Sequence, residues 1–117
     1  MTKKVLEANQ VTHPDLYHIL DLKEVTFKWD NVQGNWTTFA DARGINYRKL
    51  FESMDKEGMK HPVMVRKINS GYRKWQAGGR RIIYAKMHGY THIGAYILTT
   101  QEQVDEIYAA QYEEIYK

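Results

Sequence analysis

The stretch from Pro62 to Leu98 leaves this chain little choice of architecture. Pro62 disfavours the helical region for His61, so the two open an extended segment. Val63 to Ile68 reads as a strand, Ser70-Gly71 as a turn, and Tyr72 to Ala77 as the hairpin partner. Gly78-Gly79 then interrupts the pattern. Arg80 to His88 reads as a short helix stopped by Gly89, and Ile93 to Leu98 as a further strand. A hairpin followed by a helix and a returning strand predicts a mixed sheet with helices packed on it.

The flanking segments fit that frame. Leu16 to Leu22 alternates as a strand, and Glu24 to Phe27 either continues it or turns away. Trp29 to Asp41 reads as a loop, and a loop of that length in a small domain is often functional. Gly44 to Glu57 reads as a helix, because Tyr47, Leu50, Phe51 and Met54 fall on one apolar face. Gly58 is placed to cap it. Thr99 opens a last helix, with Glu102 at capping-box spacing and an apolar stripe of Val104, Ile107, Tyr108, Tyr112 and Ile115. The first ten or so residues read as a loose arm or short helix. The 117 residues therefore make one α+β domain with a small mixed sheet: an arm over 1–14, a core over 15–98 and a C-terminal amphipathic helix over 99–117.

Composition narrows the chemistry. An apolar content of 43% is that of a folded chain rather than a disordered one. The absence of cysteine excludes disulfides, thiol nucleophiles and thiolate metal sites, and suits a reducing cytoplasm. The N-terminal residues lack the apolar stretch of a signal peptide, and no later segment has the character of a membrane span. The net charge of +3 is modest, but its distribution is uneven. From Lys60 to Arg81 there are seven cations (Lys60, Arg66, Lys67, Arg73, Lys74, Arg80, Arg81) and no Asp or Glu, whereas the tail from Glu102 to Glu114 is mostly acidic. Such a basic middle suits phosphate-bearing partners.

Arg80 and Arg81 stand where a helix tolerates cations least. A helix N-terminus already carries partial positive charge, and each cation there costs about 0.3–1 kcal/mol. Glycines ahead of that end let backbone approach an anion, and the first helical amides have no intrahelical partner. Gly78, Gly79, Arg80 and Arg81 thus have the ingredients of a phosphate cradle, with the guanidinium groups adding charge-assisted hydrogen bonds. The same residues also suit a plain tight turn with arginines that are solvated or paired with the acidic tail.

From Leu50 onward the chain resembles the ParB/sulfiredoxin superfamily. Its members carry Leu-x-x-Ser-Ile-x-x-x-Gly, matched here by Leu50, Ser53, Met54 and Gly58, and then a Pro-Ile-x-Val strand, matched by Pro62, Val63 and Val65. A turn and a Tyr-bearing strand follow at Gly71 and Tyr72. Gly-Glu-Arg-Arg opens a helix at Gly78, Arg80 and Arg81, with Ala85 in the helix, Gly89 at its end and Ile93 in the last strand. Arg43 sits where members often have an arginine before the first helix. The resemblance implies a ParB/sulfiredoxin-like fold that binds ATP or CTP, usually with Mg²⁺, at Gly78, Gly79, Arg80 and Arg81, with Arg43 and His61 nearby. Two departures limit what carries over. Gly79 replaces the usual Glu, and the cysteine that sulfiredoxins need in this loop is absent. The chain also lacks the further motifs of chromosome-partitioning clamps, and is similar to stand-alone ParB-like domains of phages and mobile elements.

In kinase-like relatives a carboxylate near Glu24 acts as base, so the resemblance implies Glu24 as catalytic base for an NTPase or phosphotransferase. Its other reading is a solvated Glu at a strand end; Asp21 and Asp41 are lesser candidates. His88 and His92 have the spacing of a helical metal pair, but Gly89 breaks the helix between them, so no metal site is expected. Trp29, Trp36 and Trp75, with Tyr72 and Arg73, serve equally well as stacking platforms for bases or as core. The tyrosines of the last helix suit packing or a homodimer contact. The alternatives to a nucleotide-dependent enzyme are a non-enzymatic DNA-binding or host-interaction module, and a nuclease, although no carboxylates cluster for a two-metal site.

Overall fold

In the computed structural model, which describes residues 3–26, 45–76 and 79–115, nine principal elements follow one another. They are β1 (Val5–Leu6), β2 (Tyr17–Asp21), β3 (Val25–Thr26), α1 (Ile45–Glu57), β4 (Val63–Ile68), β5 (Gly71–Lys74), α2 (Gly79–Met87), β6 (His92–Ile97) and α3 (Gln101–Ile115). Short 3₁₀ turns at Pro14–Leu16 and Leu22–Glu24 bracket β2.

β6 is the hub of the six-stranded mixed sheet. One edge pairs antiparallel with β2, from Tyr17 opposite Tyr96 to Asp21 opposite His92. The other edge is shared by two short parallel partners, β1 beside His92 and Ile93, and β4 beside Ala95 to Ile97. The β4–β5 hairpin extends the sheet outward, and β3 closes that side parallel to β5.

Strand alternation sorts the core into two layers. Val63, Val65, Ile93 and Ala95 face α1 and α2, where they meet Met54, Ile82, Ile83 and Ala85. Met64 and Tyr96 point to the opposite face and are covered by Val104 and Ile107 of α3. Each fully buried aliphatic side chain in these layers contributes about 1.5–3 kcal/mol. Tyr47, Leu50, Phe51 and Met54 all pack on the first layer, as their spacing predicts.

Four expectations are corrected. The N-terminal segment is neither loose nor helical: β1 joins the sheet, Ala8 bridges to Met59, and the Tyr17 hydroxyl accepts from the Ala8 amide at 3.0 Å. Gly94 permits this last contact, because a Cβ there would run into the Tyr17 ring. The hairpin turn is Asn69–Ser70, one residue earlier than the sequence suggests, so that Ile68 faces Gly71. β5 stops at Lys74; Trp75 still donates its amide to the Met64 carbonyl at 2.8 Å, and Gln76 turns the chain out with φ 73°. The capping box is Thr100 with Gln103, not Thr99 with Glu102. The Gln103 amide donates to the Thr100 hydroxyl, and the Gln103 Oε1 accepts from the amides of Thr99 and Thr100. The helix starts late because Leu98, buried at 1% exposure, still bonds the Val65 carbonyl as an extension of β6. In consequence Gln111 lies inward with Val104 and Ile107, and Tyr108 is exposed. The side chains of Tyr112 and Ile115 lie outside the described residues.

Candidate functional site

The corner between β5 and α2 brings together part of the expected set. α2 begins at Gly79, directly after the hairpin, and packs on β4. Its two arginines part company at once. Arg80 is exposed and forms no ion pair with a described carboxylate. Arg81 turns inward, half-buried, and its Nη1 donates to the carbonyl oxygens of His61 and Pro62 at 2.5 and 2.9 Å. The His61–Pro62 turn and the start of α2 are thus clasped by one guanidinium. His61 itself is buried, with 8% exposure.

Arg81 is a cation that carbonyl dipoles solvate but no described carboxylate neutralises. Burial pushes its pKa down from the usual arginine range to about 10, and the charge of Arg80 pushes in the same direction. It remains protonated at neutral pH. Two guanidinium groups and the positive end of α2 therefore share one corner, with excess positive charge. That arrangement favours an anion and repels cations.

Other expected residues stand elsewhere. Glu24 ends the 3₁₀ turn before β3, and its carbonyl lies against Gly71, where a Cβ would approach to 2.5 Å. Gly71 opens β5, whereas the glycine corner follows its far end, so about 10 Å of strand at ~3.3 Å per residue separates them. The structure does not bring Glu24 to Arg80 and Arg81. Asp21 accepts from the Lys23 amide at 2.8 Å and caps the 3₁₀ turn. It also lines an open hollow of about 300 Å³ with Lys3, Lys23, Tyr90, Thr91 and His92, at the opposite end of α2. Gly78, Arg43, Asp41, Trp29 and Trp36 lie outside the described residues.

The histidine pair separates as its spacing around Gly89 implies. His88 stacks on Tyr84, with ring centroids 4.0 Å apart, and approaches Asp55 at 3.5 Å, while His92 bonds Thr91. Among the described residues no three His, Asp or Glu side chains converge on a metal position. No helix among them is long and apolar enough to cross a membrane.

One arrangement was missed by sequence reasoning. Arg66 of β4 and Arg73 of β5 are direct cross-strand partners. On the same face, Trp75 packs on the second core layer and lines a hollow of about 280 Å³ with Arg66, Lys67 and Thr99. A two-residue turn at Asn69–Ser70 would have announced the pairing, had it been read in that register.

No protein-family model and no curated protein sequence matches the chain. Solved structures do. Sulfiredoxin from Arabidopsis thaliana superposes with a TM-score of 0.51 at 16% identity, over 77% of this chain and 92% of that one. The C-terminally truncated chromosome-partitioning protein ParB from Caulobacter crescentus, solved in complex with CTP-gamma-S, superposes with a TM-score of 0.51 at 17% identity. That match covers 74% of this chain and 46% of the ParB chain, so only about half of the latter has a counterpart here. The fold is ParB/sulfiredoxin-like. At these identities the likeness establishes architecture, and the α+β class with a small mixed sheet and flanking helices agrees with the sequence reading. The ParB/sulfiredoxin fold appears here in a sequence without cysteine.

Proposed function

We propose that this chain binds a nucleotide, ATP or CTP, by its phosphates at the corner formed by Gly78, Gly79, Arg80 and Arg81. The observation that carries the reading is Arg81: a half-buried cation at a helix N-terminus, held by carbonyls and balanced by no described carboxylate. The CTP-gamma-S complex of the ParB with the same fold adds weight to a nucleotide as the anion. In this reading Arg81 fixes the loop and supplies field, Arg80 reaches out to the phosphates, and the first amides of α2 donate to them. The reading takes His61 as a subsidiary contact, and also Arg43, which lies outside the described residues.

The donor set fits an anion and does not fit a protein-held metal. Gly79 stands where the family has a carboxylate, and no described acidic cluster adjoins the corner. Any Mg²⁺ would be held by the phosphates and water. The proposal is one of binding; Glu24, at the other end of β5, takes no part in it.

Thermal shift with ATP, CTP and GTP, with and without Mg²⁺, tests the reading. A ligand present at 100 times its dissociation constant adds about 2.7 kcal/mol to the native state. Arg80→Ala, at an exposed position without a described ion-pair partner, should weaken that ligand by roughly 10-fold or more, as loss of a charge-assisted bond implies. If no nucleotide at millimolar concentration moves the melting point of the unaltered chain, the proposal fails.

A further inference from the structure

We infer that the outer face of the β4–β5 hairpin, built from Arg66, Arg73 and Trp75, binds a single-stranded nucleic acid. The inference stands on observations separate from the glycine corner. Arg66 and Arg73 are directly opposite in the antiparallel ladder, and both are exposed. Like charges in that position repel, and a stable hairpin gains nothing from them. Neither arginine pairs with a described carboxylate. The pair makes sense when a polyanion lies across it.

Trp75 supplies the second element. Two residues beyond Arg73, it falls on the same face, with its amide bonded to Met64 two residues before Arg66. It is half-buried: one part packs against the core cluster that contains Met64, Tyr96 and Leu98, and the rest lines the hollow of about 280 Å³ beside Arg66 and Lys67. An indole fixed in this way by the core is a rigid platform, and it lies next to a paired cation track. Bases stacking on aromatic side chains while cations follow the backbone is the physics of single-strand recognition. A duplex keeps its base faces stacked inside and cannot use the indole. The amides of Thr99 and Thr100, at the rim, are already taken by Gln103, so the phosphates must be held by side chains.

The test is fluorescence anisotropy of a labelled oligothymidylate of about a dozen nucleotides with the whole chain, repeated over a range of salt. The expected result is salt-dependent binding, with log K falling by about 0.7 per log salt for each phosphate neutralised. Arg66→Ala with Arg73→Ala should lose at least 10-fold in affinity and lower that slope by about 1.4, one phosphate for each arginine. Trp75→Ala should lose about 5- to 150-fold and Trp75→Phe much less, since a ring is kept. Because Trp75 also packs on the core, the double arginine variant, altered only at exposed positions, decides the matter if Trp75→Ala unfolds. Nucleotide binding measured on the same double variant should be unchanged, and oligonucleotide binding should survive Arg80→Ala; the two sites then stand or fall separately. The inference is overturned by absence of binding at low salt, by undiminished affinity in the double variant, or by equal affinity for a duplex or for poly-glutamate.

Discussion

Alanine at position 81 and alanine at position 80 should have opposite effects on stability, although both remove an arginine from the same helix end. Arg81→Ala breaks two bonds from a charged donor to the carbonyls of His61 and Pro62. At about 1.5–3 kcal/mol per charge-assisted bond, the gross loss is roughly 3–6 kcal/mol. Against this stands what the buried charge costs: lowering its pKa from the usual arginine range to about 10 corresponds to about 3 kcal/mol. The net expectation is a loss of up to about 3 kcal/mol, which at roughly 4 °C per kcal/mol for a chain of this size lowers the melting point by up to about 12 °C. Arg80→Ala breaks no bond to a described residue. It relieves an unfavourable charge at the helix N-terminus and its repulsion of Arg81, for a gain of about 0.3–1 kcal/mol. Urea unfolding of the two variants beside the unaltered chain reads both numbers. Equal losses in the two, or a stable Arg81→Ala beside an unstable Arg80→Ala, would refute the assignment of the inner and outer roles.

Three other outcomes are expected. Gly71→Ala should destabilise by at least about 1–3 kcal/mol in urea unfolding, because φ is +135° and the new Cβ meets the Glu24 carbonyl. Gly94→Ala should displace the Tyr17 ring, free the Ala8 amide and release β1, read as faster hydrogen exchange at Ala8 and along residues 4–6, with core amides of β4 far less affected. Burial, and then the bond to Asp55, hold the Tyr84 hydroxyl above the usual tyrosine range, so the folded state keeps a proton that the unfolded chain releases. Its contribution is complete below pH 10 and lost as pH rises past it, whereas depressed Arg81 acts in the opposite sense above about pH 10. Urea midpoints at about pH 9 and pH 11 should therefore show Tyr84→Phe losing less on the rise than the unaltered chain, and Arg81→Ala losing more.

The sequence disclosed what rests on short-range physics. The apolar face of Tyr47, Leu50, Phe51 and Met54, the stop at Gly89 between His88 and His92, and the strand after Pro62 all depend on neighbours within one or two turns, and all are present. What escaped depended on partners far along the chain. Val5 and Leu6 are too few to announce a strand, and they become one only because β6 leaves an edge open beside His92 and Ile93. Thr99 and Thr100 offer equivalent caps locally; the bond from Leu98 to Val65 chooses between them. A turn placed one residue late would pair Arg66 with Trp75 instead of Arg73, which is how the cationic pair went unread.

The inequality of the two site arginines was, by contrast, available from geometry alone. Successive residues of an α-helix with 3.6 residues per turn are rotated by about 100°, so adjacent side chains at a helix start cannot both face one hollow. One must turn toward the core, and the position that does so is set by the apolar residues that follow. Ile82, Ile83 and Ala85 are buried, and Arg81 lies four residues before Ala85 on the buried side, whereas Arg80 is exposed. The inner arginine then needs acceptors that do not cancel its charge, and the His61–Pro62 turn provides two carbonyls. A carboxylate in their place would have made a stronger structural clasp and a neutral corner. Carbonyls leave the charge unspent, and it is that remaining field, rather than the glycines or the arginine count, on which the proposal of a phosphate at this end of α2 rests.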